Sequence, residues 1–425
     1  VLIQVQPMPI ATPLWSRVPH AGFYINSVAI SADGEHIVAG TFFHDYGSSA
    51  SAQATGGEAK LAGRVAAALP SSAATPAQAG SGPSQYGTFG TYVWNRAGEL
   101  LMQQEFDGWQ GVYWVAMAGD ASVVASCGWR SGSPNYAGFI AAYVVGNGAS
   151  LLEFALPGRG NVVALDSHAR LLLAGADQGY LFARTPNGDF SAPPSLFPLT
   201  AAAAGDTALV TALDAAAGAG LVASYHGEVI LFGISQGVPT QTLRWQVPNS
   251  AYLHFAALSA DGRWAFAGAN NGLLFAFNVD KCMAAGALAP AWQVQIPGGA
   301  TTIYGVACSA DGGRIGVAGN VGSAGSVSVF HNMYSHAALI WTASTARSPN
   351  SVSFDATGSA LALADGHPDG TPGDFYLWNA ASGELLWSFP TSDMSWPIQL
   401  SADGSTVAAG SDNGSVYAFD GAVAG

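Results

Sequence analysis

The sequence predicts an all-β, eight-bladed β-propeller, and three observations predict it. A Ser-Ala-Asp-Gly phrase recurs along the chain, the strands around it alternate large and small residues, and a lone Trp-bearing strand stands near the N-terminus. The clearest copies of the phrase are Ser31-Ala32-Asp33-Gly34, Ser259-Ala260-Asp261-Gly262, Ser309-Ala310-Asp311-Gly312 and Ser401-Ala402-Asp403-Gly404. Each follows a short apolar strand and precedes a second one ending in Ala-Gly, as in Val38-Ala39-Gly40 and Phe266-Ala267-Gly268. A unit of this size with a period of two and no helical period is one propeller blade.

The inner strands align in order as Val28-Ala29-Ile30, Val115-Ala116-Met117, Val163-Ala164-Leu165, Thr211-Ala212-Leu213, Ala256-Ala257-Leu258, Val306-Ala307-Cys308, Val352-Ser353-Phe354 and Ile398-Gln399-Leu400. The middle residue is small wherever inner strands must crowd towards an axis, with Gln399 the one exception. Seven blades result if the third and fourth merge. Outer strands carry Trp245, Trp292, Trp341 and Trp387, but the last repeat stops after three strands. Residues 10–18, containing Trp15, are expected to supply its missing outer strand and so remove an open sheet edge. The whole of 1–425 then forms one domain. A low-complexity insertion at 44–85 lies between the second and third strands of blade one.

Composition narrows the function classes. Charged residues make up 9% of the chain, about a third of the usual share. The net charge is −14, from 27 acids against 13 bases. With no basic stripe to displace counterions, nucleic acid is excluded as a partner. No apolar run reaches bilayer length, so the chain is not expected to be an integral membrane protein. A surface of Ser, Thr, Asn, Gln, Ala and Gly suits an exported protein, periplasmic or extracellular, or a subunit of a larger assembly. Cys127, Cys282 and Cys308 have no metal-like spacing, and Cys308 reads as a small core residue.

Some phrases resemble known repeats. Asn379-Ala380-Ala381-Ser382-Gly383-Glu384-Leu385-Leu386-Trp387 is similar to the tryptophan-docking repeat of bacterial pyrroloquinoline-quinone propellers, with Asn and Ser where Asp and Thr are usual. Ala408-Ala409-Gly410-Ser411-Asp412-Asn413-Gly414-Ser415-Val416 resembles a WD-repeat blade. These motifs are structural, and the resemblance implies fold rather than activity. The catalytic Asp and calcium ligands of active quinoproteins have no matching motif here, so no cofactor is implied.

Two groups of residues are candidates for function. Two positions before each aligned inner-strand apolar residue stand Asn26, Tyr113, Asn161, Leu209, His254, Tyr304, Asn350 and Trp396, a row expected to ring the channel mouth as a ligand-binding funnel. Tyr46, Trp109, Trp129 and Tyr136 are expected in long loops on the same side, where aromatics suit a protein partner or a glycan. The loop Asp365 to Asp374 has the Asp and Gly of a calcium loop, but Tyr376 holds the closing acidic place, leaving a Gly-Pro turn with solvated acids. His331 and His336 lack a third ligand nearby in sequence. No Gly-x-Ser-x-Gly elbow, His-Glu-x-x-His pair or phosphate loop occurs. The sequence therefore reads as a non-catalytic binding or assembly module. The alternative is a lyase, hydrolase or quinoprotein-like oxidoreductase using His254 as a base beside Tyr304 at the mouth.

Overall fold

The computed structural model describes residues 9–42, 88–107, 111–129, 138–201, 205–214, 216–322, 324–367 and 371–421. They form eight blades of four antiparallel strands each. The inner strands are Tyr24–Ile30, Gly111–Met117, Val162–Leu165, Ala208–Asp214, Leu253–Leu258, Thr302–Cys308, Pro349–Phe354 and Ser395–Leu400. All eight aligned triplets fall inside them. Blades three and four are separate sheets. Blades one and two share one pair, Phe42 with Gly111, which joins them edgewise into a single eight-stranded sheet. The insertion at 44–85 lies outside the described residues.

The N-terminal strand Trp15–Arg17 completes blade eight, pairing antiparallel with Val416–Ala418. Trp15 is buried, and its indole N–H donates to the Arg96 carbonyl of blade one at 2.9 Å. Arg17 Nη2 donates to the Gly98 carbonyl at 3.0 Å. The closing strand therefore fastens blade eight to blade one as well as filling an edge.

The blades pack through apolar layers between neighbouring sheets. The small middle residues of the inner strands take the side facing the next blade. Ala29 packs against an apolar cluster that includes Val112 and Val115 of blade two, and Ala257 against one that includes Ile303 and Val306 of blade six. A larger side chain would push the inner strands apart where they converge. The glycines near the ends of the second strands of blades one, three, five and eight have a related cause. A Cβ on Gly40 would lie 2.6 Å from Val112 Cγ1 of blade two, and one on Gly175 would lie 3.0 Å from Ala208 Cβ of blade four. We expect Gly40→Ala to cost about 1–3 kcal/mol through overpacking. A denaturation midpoint equal to that of the unsubstituted protein would refute this close-approach account.

The Ser-Ala-Asp-Gly phrases are the turns between inner and second strands. In each, the Ser hydroxyl donates to the Asp carboxylate at 2.6–2.7 Å, as for Ser309 with Asp311 and Ser259 with Asp261. The same Ser oxygen accepts the N–H that opens the second strand, at 2.9 Å from Arg314 and from Trp264. The Ser309 hydroxyl and then the Gly313 N–H hold the Asp311 carboxyl below its ordinary value. Backbone bonds then link turn to turn around the ring. Ala32 N–H donates to Gly119, Asp120 to Ser167, Asp261 to Ala310, Ala310 to Ala356, Ala356 to Ala402, and Asp403 back to Ala32, all at 2.9–3.1 Å. This belt ties the turn face together at six junctions.

Candidate functional site

The opposite face carries the channel mouth, and β-bulges build it. In seven inner strands the register against the second strand slips by an extra residue. The slip takes in Asn26, Tyr113, Leu209, His254, Tyr304, Asn350 and Trp396, members of the row expected from the sequence. Asn161 stands one residue ahead of its strand, its N–H bonded to the Gly175 carbonyl at 2.9 Å. A bulge bends the strand and re-aims the side chain, which explains why this row breaks the apolar alternation.

The row does not form an open, uniformly polar funnel. The three asparagines are spent on neighbouring blades. Asn26 Nδ2 donates to the Tyr113 carbonyl at 2.8 Å, and Asn350 Nδ2 to the Ser395 carbonyl at 2.8 Å. Asn161 Nδ2 reaches Thr207 Oγ1 at 2.5 Å and the Ala208 carbonyl at 3.3 Å. Each bond satisfies a group of the adjacent inner strand or the loop before it, so these residues staple blade to blade. On another arc Tyr304, Met394 and Trp396 pack together with Phe255 against them, joining blades five, six and eight. Tyr304 and Trp396 are buried in that packing.

The loop aromatics are only partly placed. Tyr46, Trp109 and Tyr136 lie outside the described residues. Trp129 is not a loop residue: it ends the strand Val123–Trp129 and is 2% exposed. It packs on Tyr113 at 4.6 Å and Phe42 at 5.1 Å between ring centroids, with the Arg159 guanidinium 4.9 Å from its ring. Pairing with Gly138 carries the strand one step further than the sequence suggested. Asp365 likewise departs from the solvated turn expected of it. It is fully buried, accepts the Asp374 N–H at 2.8 Å, and takes the Tyr376 hydroxyl at 3.0 Å. Among the described residues no group of three or more His, Cys, Asp or Glu is arranged to hold a metal ion, and this covers His331, His336 and all three cysteines.

The accessible part of the mouth lies between blades three and five. Tyr225 and His226 occupy the turn after the second strand of blade four, and Tyr252 precedes the inner strand of blade five. Tyr225 and Tyr252 stack at 4.7 Å with an interplanar angle of 13°. His226 stands 5.9 Å from Tyr252, and His254 is edge-on to Tyr225 at 5.9 Å and 5.3 Å from Tyr304. Tyr252 is 38% exposed and held from beneath, its N–H donating to Asn270 Oδ1 at 2.9 Å. Below His226 lies Asp206, whose side chain is fully buried. Asp206 Oδ1 accepts the N–H groups of Thr207 and His226, each at 2.9 Å.

Burial lowers the His254 pKa to about 4. The imidazole is therefore neutral at ordinary pH and a weaker base than a free histidine.

Sequence reasoning located His254 but missed Tyr225, His226, Tyr252 and Asp206. One signal was present. Blades five and eight close the corresponding turn with Asn270-Asn271-Gly272 and Asp412-Asn413-Gly414, whereas blade four has Tyr225-His226-Gly227. Aromatic rings in place of turn-forming Asn and Asp have no local conformational purpose.

No family model matches the chain, and no curated protein matches it. Among solved structures it is similar to Saccharomyces cerevisiae Sqt1, with a TM-score of 0.64 and 10% identity, covering 97% of this chain and 99% of that one. At this identity the likeness speaks to fold alone, and the fold is a β-propeller. Among the described residues no helix is long and apolar enough to cross a membrane.

Proposed function

We propose that this propeller is a non-catalytic binding or assembly module that receives a protein partner at the mouth between blades three and five. The observation that carries the reading is the exposed Tyr252 ring stacked on Tyr225. A rigid aromatic on a firm base loses little conformational freedom when a partner covers it, which is why such residues anchor interfaces. The sparsely charged surface of the chain supports export to the periplasm or beyond. A glycan stacking on the same ring is the competing ligand.

Tyr252→Ala is expected to weaken partner capture at least tenfold without changing the melting temperature, since Tyr252 lies at the surface. The measurement is quantitative affinity capture from native extract, with Leu100→Ala on an exposed outer strand as the control and a glycan array in parallel. Equal capture by both variants would discard the mouth as the interface. Array binding lost in Tyr252→Ala, with no protein captured, would reassign the site to a glycan.

A further inference from the structure

Beside His226, among the described residues, two buried acceptor oxygens have no hydrogen-bond donor. Asp206 Oδ2 accepts no hydrogen bond, and neither does Asn161 Oδ1. The two side chains are 4% and 2% exposed by residue, and both bond to Thr207, one to its N–H and one to its hydroxyl oxygen. The Asn161 amide orientation is fixed, because its nitrogen also donates to the Ala208 carbonyl. An unmatched buried carboxylate oxygen carries a standing desolvation cost. Among the described residues the Thr207 hydroxyl does not relieve it, being committed to the Ala176 carbonyl at 2.7 Å, and His226 Nδ1 stands 3.9 Å from the other oxygen, Oδ1.

The chemistry of these two atoms selects their complement. Both unmatched atoms are acceptors, so the complement carries donors. A hard divalent cation requires six to eight oxygens or a near-ideal octahedron, far more than these two supply. A Lys ammonium or an Arg guanidinium carries only donors and a positive charge, and it is attracted to aromatic faces such as those of Tyr225 and Tyr252. His226 covers the carboxylate loosely, its Nδ1 standing 3.9 Å from Asp206 Oδ1. That imidazole is the piece that must turn aside. We propose that the mouth binds a cationic side chain of its partner, a lysine or arginine seated under the Tyr225–Tyr252 stack against Asp206 and Asn161. This rests on the mouth being the partner interface. The overall charge of −14 acts in the same direction by drawing basic segments in.

The test titrates the full chain with blocked Gly-Arg-Gly and Gly-Lys-Gly peptides, using Gly-citrulline-Gly and Gly-norleucine-Gly as neutral partners of matching shape. The cationic peptides are expected to bind at least tenfold tighter, Asp206→Asn to abolish that preference, and Tyr252→Ala to weaken every peptide. Because Asp206→Asn may disturb folding, the unsubstituted protein is also followed through the carboxylate carbon resonance of Asp206, which shifts on adding the arginine peptide. Equal binding of charged and neutral peptides, a preference that survives Asp206→Asn, or a resonance that stays fixed because the two oxygens only share a water would each overturn the proposal. In those cases Tyr252→Ala still reports separately on the mouth as an interface.

Discussion

Removing residues 1–18 is expected to open the ring and produce a protein that melts far below the intact chain and exposes apolar surface to a reporter dye. The deletion strips the edge strand from Val416–Ala418, and with it the anchors to Arg96 and Gly98 of blade one. Trp15→Ala isolates the largest part of that loss. Trp15 is 6% exposed and packs among Ile37, Trp94 and Val416, so its truncation should cost about 3–5 kcal/mol. The unmatched Arg96 carbonyl adds to this. Chemical denaturation with calorimetry measures both variants. A deletion protein with an unchanged melt would mean that blade eight is stable with three strands.

The second large effect runs the other way. Burial, reinforced by the neighbouring Asp374, raises the Asp365 carboxyl to about 6 against the hydrogen bonds it accepts. Its unfolded value is about 3.9. Between these two values the folded chain holds a proton that the unfolded chain has released, so stability falls as pH rises through that window. The loss totals about 3 kcal/mol once pH exceeds 6. Asp365→Asn retains an oxygen for the Asp374 N–H and offers an amide towards Tyr376 with no charge to bury. The variant is expected to match the parent near pH 4 and exceed it by about 3 kcal/mol at pH 7–8. Parallel stability curves from pH 4 to 8, with no growing gap, would show that Asp365 is well solvated or well compensated when ionised.

The blade count, the inner strands and the closing strand were all legible in the sequence, because each rests on a local period or a turn that one blade encodes alone. The mouth was half legible. The row from Asn26 to Trp396 could be located because bulges break alternation. Its roles could not be read, because whether an asparagine faces a ligand or the next blade depends on a carbonyl 45–87 residues away. Trp129 was misplaced for a similar reason: its place at the strand end is set by pairing with Gly138, nine residues on. Asp206 left no trace, since a single acid in a connecting loop resembles any solvated one until its neighbours are known.

The closing strand also bears on how the molecule is made. Trp15 leaves the ribosome some 400 residues ahead of its partner Ala418. At roughly 5–20 residues per second the wait is on the order of 20–80 s. Throughout it, seven blades can assemble in order while one edge and one indole stay uncovered. Nascent chains stalled before Ala418 should therefore be the species that chaperones hold, and their release should coincide with the emergence of the blade-eight strands.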